Sequence, residues 1–262
     1  MNTLLLRADA GTNIGMGHVM RCLAVAQQWQ EQGGKAVFVL DSEAIDMNDR
    51  LSSAKVDVHV LTDVAHGSPD DAEQLKQIGS DSNADWCIID SYRCDTNYQH
   101  TVRSSDIQCL VIDDYGHAGH YDADYVLNQN ICAKPDLYQG REPDTQLLLG
   151  LSYAMLRQEF LRWCEWERSI PDRARKLLIT LGGSDPDNAT SSAIQAVSIL
   201  DDDLEVVVVA GAINPHIKAL EQQVDESSAS IELRTGVEDM SELMAWADIA
   251  VAAGGSTSYE LL

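Results

Sequence analysis

The chain has 262 residues, 45% apolar and 23% charged, the mix of a globular protein and not of a disordered or collagen-like one. Its 42 acidic residues against 18 Lys and Arg give a formal net charge of −24, which would repel a nucleic acid or an anionic membrane surface, so neither is an expected partner. The length fits one large domain or two of about 100–150 residues.

Taken in chain order, the opening MNTLLLRADAG carries three Leu before Arg7 and Asp9, unlike a secretory leader. Short apolar runs then alternate with longer amphipathic stretches. The runs fall at residues 3–7, 35–40, 56–61, 86–90, 107–112, 125–127 and 146–149, with a second set at 176–181, 204–210, 230–233 and 248–252. Many are near-continuous Val, Ile and Leu, as in strands buried on both faces of a parallel sheet. Residues 18–32 repeat Val19, Leu23, Ala26 and Trp29 at helical spacing and stop at Gly33-Gly34. Residues 188–200 and 239–247 read as helices too. The alternation predicts an α/β fold of doubly wound parallel sheets.

The charged stretch 163–176, which includes Pro171, separates the two series and reads as a linker. An N-terminal domain over 1–160 and a C-terminal domain over 172–262 are expected. The second has only four strand candidates, and its last helix has room for roughly six residues against an average of about 11–12, so it is expected to be incomplete. The longest greasy stretch, 204–213, is half of what a membrane span needs. The six cysteines, Cys22, Cys87, Cys94, Cys109, Cys132 and Cys164, form no CxxC pair. A cytoplasmic protein with reduced thiols is expected.

Three glycine-rich turns each join a strand to a helix. The first runs from Arg7 to His18 through Asp9, Gly11, Asn13, Gly15 and Gly17. Its glycines let the backbone approach a ligand closely, and the helix beyond favours an anion. His18 stands at the sheet edge where open α/β folds bind ligands, placed to serve as a general base. A helix-capping histidine after a structural turn is the other reading of the same pattern. The second turn holds Gly182, Gly183, Ser184, Asp185 and Pro186, and the third holds Gly254, Gly255, Ser256 and Glu260. Together they suit a diphosphate and a ribose, with Glu260 accepting from ribose hydroxyls; ordinary strand-to-helix loop chemistry is the alternative.

Asp90-Ser91-Tyr92 and Asp113-Asp114 each follow an apolar run. Asp114 reads as a helix-capping loop residue, while Asp90, Tyr92 and Asp113 stay open as site residues. Asp201-Asp202-Asp203 reads as a solvated turn. His117 and His120 with Asp113 match no ligand spacing, and no metal is expected.

The segment RADAGTNIGMGHVMRC resembles the opening of the UDP-2,4-diacetamido-2,4,6-trideoxy-β-L-altropyranose hydrolases of pseudaminic acid biosynthesis. The likeness continues through Asp90-Ser91-Tyr92, Val111-Ile112-Asp113-Asp114, Asn128-Gln129-Asn130, the GLSYAMLRQEF segment with Arg157, residues 181–188, and Gly254-Gly255-Ser256-Thr257-Ser258-Tyr259-Glu260. It covers nearly the whole chain, in order. The resemblance implies a GT-B architecture, two Rossmann-like domains facing a cleft, similar to the glycosyltransferase that makes lipid II. By the same resemblance the N-terminal domain holds the sugar and the C-terminal domain holds UDP. His18 looks like the base that activates water, Arg157 like a substrate-binding residue, and Glu260 like the ribose ligand, with Asn13 and Tyr92 as further carry-overs. Gly17, Gly183, Ser184, Gly255 and Ser256 complete the expected substrate contacts.

The implied reaction is hydrolysis of a UDP-linked sugar with inversion, without metal or cofactor. Further strands and helices of that family, including an Asn-Gln-bearing turn near the nucleotide, do not occur in this sequence. A GT-B glycosyltransferase using a UDP-sugar donor and a non-catalytic nucleotide-sugar-binding fragment are the alternatives.

Overall fold

The computed structural model describes residues 2–9, 16–41, 48–200, 203–212, 214–237 and 239–262, with backbone alone at 48–50. It contains two compact units, one comprising His18–Arg157 with the opening strand, the other Gln158–Leu262.

In the first unit, β1 (Thr3–Ala8), β2 (Lys35–Asp41), β3 (Asp57–Leu61), β4 (Ala84–Asp90), β5 (Gln108–Ile112), β6 (Tyr125–Asn128) and β7 (Gln146–Leu149) form one sheet in the order β3-β2-β1-β4-β5-β6-β7. All neighbouring pairs are parallel. Helices α1 (Gly17–Glu31), α2 (Asn48–Ser53), α3 (Pro69–Ser82) and α4 (Thr96–Arg103) supply the crossovers from β1 to β5. Every residue of β1 is buried, because this interior strand is covered on both faces. Leu5 pairs in register with Val37 on one side and Cys87 on the other. These three share one core with Leu75, Tyr98, Cys109 and Val111. Cys87 and Cys109 behave there as small apolar side chains, and burial pushes both thiols up.

Arg7 is the exception in this apolar strand. Its guanidinium is fully buried, donating through Nε (3.1 Å) and Nη2 (2.7 Å) to Asp71 and through Nη1 to the Val39 carbonyl (3.1 Å). Asp71 sits in the first turn of α3, after Pro69 at a helix-start position and the capping Ser68. It also accepts from the Tyr98 hydroxyl (2.9 Å) and the Gly67 N–H (2.8 Å). One ion pair thus joins β1, β2, α3 and α4.

In the second unit, β8 (Lys176–Thr180), β9 (Glu205–Ala210), β10 (Ser230–Thr235) and β11 (Ile249–Ala252) form a parallel sheet in the order β10-β9-β8-β11. Relative to its own first strand, this repeats the β3-β2-β1-β4 order of the first unit. Alternation along the strands divides the core. Leu178, Val207 and Val209 pack with Phe160, Met240, Leu243 and Met244, whereas Leu177, Ile179, Val206 and Val208 pack with Ile194, Val197 and Leu220. The covering helices are α5 (Gln158–Leu161) and α8 (Met240–Trp246) for the first set, and α6 (Ala189–Ser198) and α7 (Ile217–Asp225) for the second. A short α9 (Ser256–Glu260) follows β11.

The charged stretch expected as a linker packs within this second unit. The Trp163 indole N–H donates to the Ser241 hydroxyl (2.9 Å), and Arg168 pairs with Asp248 (2.7 Å). Arg162, just ahead of it, pairs with Asp239 (2.6 Å). The compact second unit therefore starts at Gln158. Among the described residues no helix is long and apolar enough to cross a membrane. Asp201 and Asp202, read as part of a solvated turn, lie outside the described residues.

Candidate functional site

In each sheet the strand order reverses beside the first strand, between β1 and β4 in one unit and between β8 and β11 in the other. Crevices at the carboxyl ends of such strand pairs are where open α/β sheets hold ligands. The three glycine turns singled out in the sequence all leave one of these strands.

At the β1/β4 edge the side chains converge. His18, the second residue of α1, is 8% exposed, and its Nδ1 lies 2.6 Å from Asp90 Oδ1. Asp90 is the last residue of β4 and fully buried. Arg21, one turn along α1, grips both oxygens of Asp90 through Nε (2.6 Å) and Nη2 (2.6 Å). It also reaches Asp114 Oδ1 (2.9 Å) and Oδ2 (3.0 Å). Asp114 accepts in addition from the Tyr92 hydroxyl (2.5 Å) and Asn130 Nδ2 (3.0 Å). The Tyr92 ring meets the His18 ring edge-on, with centroids 4.9 Å apart.

This arrangement has chemical consequences. A carboxylate only accepts, so the contact with Asp90 puts the imidazole proton on Nδ1 and leaves Nε2 with its lone pair. Burial would lower Arg21, but Asp90 and Asp114 outweigh it and hold the guanidinium charged. Burial and Asp114 both push the Tyr92 phenol up, so it stays a donor. The imidazole is held in one orientation by Asp90, which Arg21 in turn holds from behind.

A further layer supports Tyr92. Asp9, just after β1, accepts from the Ser91 hydroxyl (3.0 Å) and the Tyr92 N–H (3.2 Å). His66 bridges Asp9 (2.9 Å) and Asp41 (2.6 Å). Ser91, His66 and Asp41 lie in the order of a nucleophilic triad, with Ser91 Oγ 3.1 Å from His66 Nε2. However, Ser91 is 1% exposed and Asp9 faces the same nitrogen, so the group is a structural brace rather than a nucleophile.

The sequence singled out His18 and left Asp90, Tyr92 and Asp113 open; the structure brings His18, Asp90 and Tyr92 together. Asp114, read as a capping loop residue, is corrected. It binds Arg21 and Tyr92 because β5 ends beside β4. Arg21 was missed. Its signal was a charged residue three positions after His18, on the helix face that buries Cys22 and Leu23. Asp113 forms its own pair with His117 Nδ1 and accepts from the Tyr121 (2.7 Å) and Tyr138 (3.0 Å) hydroxyls. His120 turns instead to Glu142 (3.0 Å), so these three do not converge. Gly17 opens α1, and Arg157 is buried at the end of the first unit. Asn13 lies outside the described residues, as do positions 10–15 of that turn.

In the second unit Gly183 and Ser184 follow β8, and Ser184 is buried. A side chain at Gly211 would collide with the Gly183 carbonyl, so the turns after β8 and β9 pack backbone to backbone. Helix α6 begins only at Ala189, and Asp185 already caps its Ala189 (2.8 Å) and Thr190 (2.9 Å) N–H groups. The chain itself thus places a carboxyl group on that helix start, and the backbone of 182–184 is the rest of the turn. Gly255 (φ 129°) precedes α9, whose first and last residues are Ser256 and Glu260.

Five carboxyls of the first unit are held below the usual range, the partly buried Asp122 by Arg103 and His100 and four others at buried contacts. Burial alone would raise each, but His66 prevails at Asp9, Arg7 at Asp71, His117 and the Gly116 N–H at Asp113, and Arg21 at Asp114. A carboxyl depressed on folding from about 3.9 adds stability that is complete above that value and drains as pH falls through the folded value. Urea midpoints are therefore expected to fall steeply below about pH 4, and Asp113→Asn is expected to flatten part of that slope. A midpoint that does not change on acidification would contradict the assignment.

No family model matches the chain. It is 25% identical over 260 residues to an uncharacterized protein of Methanocaldococcus jannaschii, covering 97% of this chain and 52% of that one. The chain thus spans about half the length of that relative. It is 24% identical over 261 residues to UDP-2,4-diacetamido-2,4,6-trideoxy-β-L-altropyranose hydrolase of Campylobacter jejuni, covering 99% of this chain and 87% of that one. It is 25% identical over 276 residues to the spore coat polysaccharide biosynthesis protein SpsG of Bacillus subtilis, covering 97% and 73%. Among solved structures, MurG of Acinetobacter baumannii superposes with a TM-score of 0.58 at 15% identity, covering 98% of this chain and 73% of that one. The spinosyn rhamnosyltransferase SpnG superposes with a TM-score of 0.61 at 14% identity, covering 99% and 77%. With its two parallel-sheet units, the chain has the α/β fold of GT-B glycosyltransferases.

Proposed function

We propose that the chain acts on a UDP-linked sugar and hydrolyses it at the anomeric C–O bond with inversion. The observation that carries this reading is the His18–Asp90 pair, with Asp90 gripped at both oxygens by Arg21. Similarity to the Campylobacter hydrolase supports the choice of water and of a diacetamido-trideoxy sugar. His18 Nε2 takes a proton from water, and the water oxygen attacks the anomeric carbon opposite the diphosphate. The anomeric C–O bond breaks, its electron pair leaves with UDP, and the sugar is released with opposite configuration. Asp90 stabilises the imidazolium that forms.

The nucleotide falls to the second unit in this reading. Gly183, Ser184, Gly255 and Ser256 contact the diphosphate and Glu260 the ribose, with Arg157 and Asn13 as further substrate contacts. Because Asp185 occupies the start of α6, the backbone of 182–184 is the part of that turn left to meet a phosphate. The free sugar would serve nonulosonic (pseudaminic) acid biosynthesis, from a cytoplasmic pool of UDP-sugar.

Real-time proton NMR with UDP-2,4-diacetamido-2,4,6-trideoxy-β-L-altropyranose tests the reading. UDP and the opposite anomer are expected to appear together, and neither with His18→Ala. Substrate left intact by the folded protein would overturn hydrolysis. The fold of the glycosyltransferase neighbours favours a second reading, in which the same pair deprotonates an acceptor hydroxyl. The sugar would then appear on an added acceptor and not free in solution. UDP binding without turnover would mark a non-catalytic nucleotide-sugar-binding fragment.

A further inference from the structure

His117 carries an unmet hydrogen bond that the base at His18 does not explain. Its side chain is 8% exposed, its Nδ1 is engaged by Asp113, and its Nε2 is buried with no partner. Buried polar atoms are nearly always paired, so an unpaired buried nitrogen of this kind calls for an explanation. The surroundings give one. The ring lies among Tyr92 (5.3 Å between centroids), Tyr115 (6.1 Å) and Tyr121 (6.2 Å). Tyr92 and Tyr115 also pack on each other at 5.2 Å and remain 36% and 58% exposed. Tyr92 touches His18 as well, so the base and His117 flank the same aromatic ring.

We propose that His117 is a specificity-determining residue, whose Nε2 accepts the amide N–H of an acylamino group on the sugar, with the Tyr92 and Tyr115 rings lying against that group. The proposal rests on the UDP-sugar reading above and names the substituent recognised. Asp113 is held well below the ordinary carboxylate range, so it acts as an acceptor and places the proton on Nδ1. In the tautomer with its proton on Nδ1, Nε2 can only accept, and the ligand must donate. A hydroxyl would donate too, but its lone pairs would be left facing aromatic rings. An amide nitrogen has one proton to give and nothing further to satisfy.

The test uses the full chain labelled with ¹⁵N-histidine, with the His117 Nε2 resonance assigned by its loss in His117→Gln. Two probes are added: UDP-2,4-diacetamido-2,4,6-trideoxy-β-L-altropyranose, which carries amide N–H groups on its sugar, and UDP-glucose, which offers only hydroxyls there. The first is expected to shift Nε2 and the second to leave it unmoved. His117→Phe is expected to raise KM for the first probe about tenfold with kcat little changed, and His117→Gln, which keeps an acceptor, to recover part of it. Equal shifts with both probes, or none with either, would overturn the assignment. UDP release with Nε2 unmoved would overturn it and leave hydrolysis standing. A shift without UDP release would uphold it and remove hydrolysis.

Discussion

Asp90→Asn is expected to slow UDP release about as far as His18→Ala does, by about 10²–10⁴-fold, with KM for the UDP-sugar changed little. Asp90 touches no substrate in the proposed reaction, so its effect must pass through the imidazole. The carboxylate faces Nδ1 at 2.6 Å and obliges that nitrogen to carry the proton. An Asn side chain can present its amide N–H₂ to Nδ1, which moves the ring proton to Nε2. A protonated Nε2 cannot take a proton from water, and the imidazolium that would form loses its counter-charge. The fold should survive the change, because Arg21 keeps its two contacts to Asp114 at 2.9 and 3.0 Å. The variants can be compared by steady-state UDP release, with thermal unfolding as a control. A purely structural role would lower stability and raise KM together. Loss of kcat at unchanged stability is the outcome that the geometry requires. An Asp90→Asn enzyme of near-normal kcat would remove His18 as the base.

Much of this fold was legible in the sequence because both sheets are parallel and covered on both faces. Strands such as β2 and β9 then read as nearly unbroken apolar runs, and each expected run ends within two residues of a strand. Helix α3 was less visible: only Asp71, Ala72, Leu75 and Gly79 of its fourteen residues are buried, too narrow a stripe to stand out. The site was legible in part. A glycine turn leading into a helix marks His18 by local pattern alone. Asp90 and Asp114 are 72 and 96 positions from His18, and only the β1-β4-β5 order makes them neighbours. No spacing rule along the chain contains that adjacency. Arg21 was hidden for a different reason. A lone arginine on a helix reads as solvated surface unless a buried carboxylate is known to face it.

Arg7 and Asp71 pose the same problem in the core, and the largest stability effects are expected there. Asp71→Ala is expected to destabilise the protein by about 3–5 kcal/mol, because it leaves the Arg7 guanidinium charged, buried and stripped of its partner. Both side chains are at 0% exposure, so solvent does not screen the pair. The loss spreads beyond the ion pair, since the Tyr98 hydroxyl and the Gly67 N–H also lose their acceptor. Tyr98→Phe, which removes one neutral hydrogen bond, should cost about 0.5–1.5 kcal/mol. The informative variant is the double replacement Arg7→Met with Asp71→Leu. If the pair chiefly offsets its own desolvation, the apolar pair should recover most of the stability lost in Asp71→Ala, as seen for other buried ion pairs. Urea unfolding of the three variants separates the terms. A double variant as unstable as Asp71→Ala would mean that the hydrogen bonds from Arg7 to Val39 and from Tyr98 and Gly67 to Asp71 carry the stability, and not the balance of charge.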